Sequence, residues 1–306
     1  MAFEILAIVG PTASGKSDLA IDLAKQFANQ GTTCEIVNAD AMQLYKYLDI
    51  GTAKISKEIR KQVPHHLIDV FEPSEEVTAL QYQKLAREKI EEIINRGNLP
   101  ILVGGSMFYI SAALDGLEFA PTNPEIRDAL EREQSEIGPL AMHEKLQKLD
   151  PETAKKIPAN NLRRVVRALE VIEITGQPYS ASLPEPSYWR PTLQIGIAVD
   201  RELLKQRISA RAEKMWELGL LDEVRNLASR GIQLGRTARV AIGYEQAQRQ
   251  LAGELSQEEA IEETNSLTAR YARRQMSWFR RDKRIHWVKT GPELTAQALE
   301  QIRLER

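Results

Sequence analysis

The chain has 306 residues, 42% of them apolar and 27% charged, with a net charge of −2; this is the balance of an ordinary globular protein with one large core or two smaller ones. Its sole cysteine, Cys34, excludes an intramolecular disulfide framework and a cysteine-rich zinc site. No run reaches transmembrane length and the N-terminus carries no signal-peptide pattern, so no membrane association and a cytoplasmic location are expected.

In chain order, Phe3–Val9 is mostly apolar and predicts a buried strand. The segment Gly10, Pro11, Thr12, Ala13, Ser14, Gly15, Lys16, Ser17 has the spacing G-x-x-x-x-G-K-[ST]. A helix follows, with Leu19, Leu23 and Phe27 on one face, so the motif sits between a strand and a helix, as a phosphate loop must. Gly10 and Gly15 permit backbone angles that turn amides onto an anion, Lys16 brings a mobile charge, and the Ser17 hydroxyl suits a Mg²⁺ ion. This establishes a diphosphate or triphosphate site and does not say what else the ligand carries. Next comes a strand ending at Asp40, where the carboxylate is either a helix cap or a group that takes a proton or ligates a metal. "HLIDVF", His66–Phe71, predicts a third strand. Within it Asp69 is either a strand-end turn residue or a Mg²⁺ ligand. The neighbours His65 and His66 should point to opposite sides and make a poor metal site. A helix is expected over Val77–Asn95 with Leu80, Leu85, Ile90 and Ile94 in phase, then a buried strand in "LPILVGGS" running into a glycine turn at Gly104–Ser106. Alternation of this kind implies a parallel sheet with helices on both faces, and ligands at the carboxyl ends of its strands.

From about Leu117 to Tyr188 the pattern is helical, with Asn123 and Asp150 as N-caps before prolines. The expected organisation is a core over 1–116, an all-helical insertion over 117–190 and the rest of the core, with a basic C-terminal helix, over 191–306. Arg163, Arg164 and Arg167 cluster in the insertion. "TLQIGIAVD" restores the strand pattern. Arg207 and Arg211 follow, four apart on one helix face; such a pair is either solvated or set against a diphosphate. Long helices run to about Arg281, and "RIHWV" predicts a short closing strand. The stretch Ala269–Trp287 holds Arg270, Arg273, Arg274, Arg280, Arg281, Lys283 and Arg284 against Asp282, with Tyr271, Trp278, Phe279 and Trp287 interleaved. It is either a solvated helix face anchored by aromatics or a footprint for a phosphate backbone.

The ordered set "GPTASGKSDLA", "NADAMQLYKYLDIGTAK", "PHHLIDV", "LVGGSMFYI", "RRVVRALEV", "RAEKMWELGLLDEV", "AIGYEQA" and "YARRQMSWFRRD" resembles the bacterial tRNA dimethylallyltransferases, also called tRNA isopentenylpyrophosphate transferases, over nearly the whole chain. One departure is Ser106, where that family usually has Thr. The resemblance implies a P-loop NTPase-like α/β core with a helical insertion that grips the anticodon stem-loop. It also implies that the loop holds dimethylallyl diphosphate rather than ATP. The implied reaction is transfer of the dimethylallyl group to N6 of adenosine 37 in tRNA, with release of diphosphate and with Mg²⁺ required. Asp40 then matches the family's base. The amides of Ala13 to Ser17, Lys16, Mg²⁺ on Ser17, and Arg211 match the groups that neutralise the diphosphate, and Ser106 the one that positions the reacting base. Contacts to tRNA are implied for Asp40, Ala41, Met42, Gln43, Ser106, Arg127, Arg163, Arg164, Val165, Val166, Arg167, Val240, Ala241, Ile242, Gly243, Tyr244 and Glu245. A monomer without an obligate protein partner is expected. The competing classes are a P-loop small-molecule kinase using ATP, with Asp69 as metal ligand, and a prenyl transferase acting on free adenine nucleotides.

Overall fold

Five apolar residues, Ile5–Val9, form β1, and all five are buried, as suits a parallel strand covered on both faces. The computed structural model, which describes residues 2–179 and 187–305, continues through α1 (Lys16–Ala28), β2 (Cys34–Asn38), α2 (Lys57–Gln62), β3 (His65–His66), α3 (Ala79–Asn95), β4 (Leu99–Gly104) and α4 (Met107–Leu114). Three helices follow, α5 (Pro124–Leu149), α6 (Pro151–Lys156) and α7 (Leu162–Thr175). The chain then returns to the sheet with β5 (Thr192–Ala198), α8 (Arg201–Glu217), α9 (Leu220–Ser229), α10 (Arg236–Arg239), α11 (Tyr244–Leu251), α12 (Gln257–Phe279), β6 (Ile285–Lys289) and α13 (Leu294–Leu304).

The strands make one parallel sheet in the order β3-β2-β4-β1-β5-β6. The chain steps outward from β1 in both directions, so the loops after β1, β2, β4 and β5 open into one crevice at the carboxyl edge. Leu19, Leu23 and Phe27 of α1 are buried on one face, against Leu6, Ile8 and Ile101. Tyr82, Ala86, Ile90 and Ile93 of α3 are buried on the other, against Ala7, Val37 and Leu102. Of the four α3 residues expected in phase, only Ile90 is among the fully buried ones; Tyr82 and Ala86 complete the inward stripe and rotate it by about one position. Thr78 starts α3 with a capping box to Gln81.

The expected third strand is much shorter than the sequence suggested. Leu67 and Asp69 adopt left-handed backbone angles, each with φ 59°, which no β-ladder accommodates, so β3 stops at His66.

The chain divides into two compact units, Met1–Gly116 with Tyr188–Arg306, and Leu117–Ser187. The insertion expected over 117–190 spans α5, α6 and α7; its residues 180–186 lie outside those described. Asn123 caps α5 by accepting from the amides of Glu125 and Ile126, and Asp150 caps α6 by accepting from that of Thr153. α5 is broken at Gly138, φ 81°, before Pro139. Leu130, Met142, Leu146, Val165, Val166 and Leu169 form this unit's own core.

Candidate functional site: an anion loop beside an apolar pocket

Gly10 leaves β1 at φ 147°, where an added Cβ would come within 3.2 Å of the Ile197 carbonyl of β5. Only glycine fits that approach. Ala13 and Gly15 are left-handed, with φ 60° and 91°. Such angles suit a nest of inward-turned amides, and α1 starts immediately after, with Gly15 as its N-cap. Lys16 Nζ donates to the Pro11 carbonyl at 2.6 Å. Its pKa is pushed down to about 8, chiefly because the surrounding protein strips water from the ammonium; Asp40 offsets part of this and Arg211 adds to it. Arg211, from α8, donates through Nη1 to Thr12 Oγ1 at 2.9 Å. Among the described residues, Arg211 Nε and Ser14 Oγ are buried without a partner. Two cations crowded together and two orphaned polar atoms are costly unless an anion completes them.

The crevice holds two cavities. One, of about 290 Å³, is lined by the loop from Thr12 to Asp18, by Asn38 and Gln43, by Gly104 and Gly105, and by Gln275. The other, of about 310 Å³, is lined largely by Met42, Ile208, Ala212, Met215, Val240, Ala241 and Ile242, with Ala41, Ser106, Tyr271 and Arg274. Thr12, Asp40, Thr52 and Arg211 line both. A cavity walled by the glycine loop and a more apolar one thus meet at one carboxylate and one guanidinium.

Asp40 is held firmly. Asn38, at the end of β2, accepts from the Asp40 amide at 3.0 Å and donates to the carbonyls of Asp40 and Leu67. Asp40 Oδ1 accepts from the Met42 amide at 2.9 Å. It therefore caps an irregular turn and not a helix. Ser106 Oγ accepts from the Ala41 amide at 2.9 Å, tying the loop after β4 to this turn. The hydroxyl retained at Ser106 is what this bond needs; the methyl of Thr plays no part in it.

Several other expectations resolve differently. Asp69 accepts from Lys54 Nζ at 2.6 Å and Arg60 Nη1 at 2.8 Å. Burial pushes its pKa up, but those two hydrogen bonds outweigh burial and hold the carboxylate below its usual range. Asp69 lines neither cavity; it is an ion-pair anchor for the loop carrying Lys54. His65 and His66 do part company, one meeting the Val63 carbonyl and the other Glu35. Among the described residues no group of three His, Cys, Asp or Glu could hold a metal. Arg207 donates to Thr290 Oγ1 and lines neither cavity, so of the arginine pair only Arg211 faces the site. Gln43 lines the anion cavity, its amide donating to the Thr52 carbonyl at 3.0 Å. The Thr12 amide is already engaged by Gln275, so the amides free to face an anion begin at Ala13.

Of the segments implied to meet RNA, Val165 and Val166 are core residues, 0% and 3% exposed, and are removed from that set. Tyr244 is also fully buried, its hydroxyl donating to Glu223 and accepting from the Gly51 amide. Gly243 is buried too and starts α11, whereas Val240 is exposed and Ile242 and Glu245 partly so. Arg127 and Arg167 both pair with Glu170, which is 0% exposed; Arg163 and Arg164 are exposed. In the C-terminal cluster Arg284 is bound to Asp115 and Asp282, while Arg270, Arg273, Arg274, Arg280, Arg281 and Lys283 are exposed.

The sequence model of the IPP transferase family matches residues 43–282. A tRNA dimethylallyltransferase of Thermobifida fusca is 51% identical, covering 96% of this chain and 92% of its own; one from Streptomyces coelicolor is 50% identical over 94% and 91%. The chain belongs to the tRNA dimethylallyltransferase family. Two solved structures of similar enzymes share its fold. The tRNA isopentenylpyrophosphate transferase of Bacillus halodurans is 37% identical with a TM-score of 0.67, covering 99% of each chain. A eukaryotic dimethylallyltransferase solved acting on tRNA is 26% identical with a TM-score of 0.81, covering 97% of this chain and 77% of its own. Among the described residues no helix is long and apolar enough to cross a membrane.

Proposed function

We infer that the chain carries out the reaction for which its family is named, transfer of the dimethylallyl group from dimethylallyl diphosphate to N6 of adenosine 37 in tRNA. The observation that carries this reading is the meeting of an anion loop and an apolar pocket at Asp40 and Arg211. The diphosphate lies in the first cavity against the amides of Ala13 to Ser17, Lys16 and Arg211. The flipped adenine enters the second, between Met42, Val240 and Tyr271. As the C1–O bond of the donor breaks and the N6–C1 bond forms, Asp40 takes the proton from N6, whose lone pair is otherwise delocalised into the ring. The cations beside the bridging oxygen stabilise the departing diphosphate. Mg²⁺ fits as well: the Ser17 hydroxyl lines the anion cavity, and Mg²⁺ takes oxygen donors completed by phosphate and water. When bound it would neutralise further charge on the leaving group. The kinase alternative loses its metal-holding carboxylate, since Asp69 is tied to Lys54 and Arg60. The deciding experiment incubates the purified protein with dimethylallyl diphosphate and an anticodon stem-loop. Mass spectrometry should show one dimethylallyl group on adenosine 37; an unmodified stem-loop, or phosphate transfer from ATP to a small molecule, would sink the reading.

Lys16 gives this reading a pH signature. A bound diphosphate favours the ammonium form, so above about pH 8 binding must take up a proton. Affinity for dimethylallyl diphosphate should be flat below that pH and fall by up to about tenfold per unit above it. Calorimetry in two buffers of different ionisation enthalpy should detect the proton uptake; its absence would overturn the lowered titration given to Lys16.

RNA affinity should be governed by the exposed arginines. Stem-loop binding should weaken steeply with salt. Neutralising Arg270 and Arg273 together should flatten the log–log slope by roughly 1.5 to 2. Arg284→Ala should instead lower thermal stability and leave the slope alone, because its guanidinium belongs to the Asp115 and Asp282 network. The opposite assignment of these effects would reverse the roles given to them.

A further inference from the structure

Gln275 lies near the C-terminal end of α12, 2% exposed. Its Oε1 accepts from the Thr12 amide at 2.8 Å, and its Nε2 donates to the Gly105 carbonyl at 2.8 Å. Both ends of the amide are thus engaged by backbone, from two loops far apart in sequence. The packing is close: a Cβ at Gly105 would meet Gln275 Nε2 at 2.3 Å and the Gly10 carbonyl at 3.2 Å. Thr12 in turn accepts from Arg211 through its hydroxyl, and Gly105 precedes Ser106, whose hydroxyl holds the Ala41 amide. One side chain therefore stands at the junction of the phosphate loop, the arginine that faces the leaving group and the loop that steadies the Asp40 turn.

We propose that Gln275 is a positioning residue for the transfer, fixing the phosphate loop against the loop after β4 and, through Thr12, fixing Arg211. An amide suits this post because it donates and accepts at once with no net charge. A carboxylate would add negative charge beside the diphosphate, and a hydrocarbon would leave the Thr12 amide and the Gly105 carbonyl without partners. This inference rests on the first cavity being the diphosphate site. Calorimetry of dimethylallyl diphosphate with the wild-type protein tests that separately: no binding there would overturn the site reading before any variant is made.

Two variants test Gln275 itself. Q275M has nearly the same shape and no polar atoms. Its affinity for dimethylallyl diphosphate should fall about tenfold, roughly the loss of one net hydrogen bond, with a slower single-turnover rate and stem-loop affinity unchanged within about twofold. Q275E keeps the acceptor for Thr12, but its carboxylate cannot donate to Gly105 until it is protonated. Its single-turnover rate relative to wild type should therefore rise as pH falls from about 8 to about 5.5, a burial-raised carboxyl range. The proposal is overturned by a Q275M protein that binds and transfers like wild type. It is also overturned by equal losses of diphosphate and stem-loop affinity, which would mean general loosening. A flat Q275E ratio across that range overturns it as well, and decides the matter alone if Q275M does not fold.

Discussion

Asp40→Asn should reduce single-turnover prenyl transfer by roughly 10²- to 10⁴-fold, the usual worth of a general base, while leaving a folded protein that binds both substrates. The structure explains why the fold should survive. An Asn carbonyl oxygen can accept from the Met42 amide as Asp40 Oδ1 does, and the bonds from Asn38 go to the Asp40 backbone. What disappears is the capacity to take a proton and one negative charge near Lys16. Because Asp40 supports the charged form of Lys16, the variant's diphosphate binding should begin to fail at lower pH than in wild type. The comparison therefore belongs at about pH 7, where wild-type Lys16 is protonated. Stem-loop and prenyl donor should both be saturating, so that the rate reports chemistry. Transfer at near wild-type rate by a folded Asp40→Asn protein would reduce Asp40 to a turn-forming residue.

Parts of this site were legible in the sequence because they are local. The strand, the glycine spacing and the helix that follow one another from Ile5 to Ala28 need no distant partner, and Gly10 and Gly15 take the backbone angles that their spacing implies. Other parts failed where distant residues decide. "HLIDVF" has the composition of a strand, but Lys54 and Arg60 capture Asp69 and the backbone turns left-handed at Leu67; no pattern within the six residues announces that. Val165 and Val166 adjoin the arginines in sequence, but successive helical residues project about 100° apart and cannot all share one surface. Tyr244 fails for a related reason: it opens α11 facing inward, and its hydroxyl meets Glu223, on α9. Gln275 is silent in the sequence because its partners lie 263 and 170 residues away. A glutamine inside an arginine-rich helix carries no sequence signal for that task.

Arg211 separates function from stability most sharply. It lines both cavities, shares the site with Lys16, and keeps Nε buried with no partner among the described residues. Burial pushes its pKa down and Asp40 only partly restores it. In the free protein this arrangement is unfavourable; on the proposed reading a bound diphosphate would complete it with charge-assisted hydrogen bonds. Arg211→Met should therefore cost roughly 10²- to 10³-fold in single-turnover rate, the scale of losing one preorganised donor to a developing anion, yet leave the melting temperature of the free protein unchanged or raised. Arg211→Lys should recover only part of the rate, since a point charge cannot reproduce a planar fork. The same loss of neighbouring charge should move the Lys16 titration upward from about 8, because Arg211 is one of the groups lowering it. The high-pH fall in diphosphate affinity would then begin later in Arg211→Met than in wild type, even though the affinity itself is weaker. Arg207→Met is the internal control: four residues away on the same helix and bonded to Thr290, it should change the rate by less than about threefold, as expected for a side chain that meets no reacting group. Equal losses in the Arg207 and Arg211 variants would mean that α8 contributes only its general charge, and the assignment of Arg211 to the leaving group would fall.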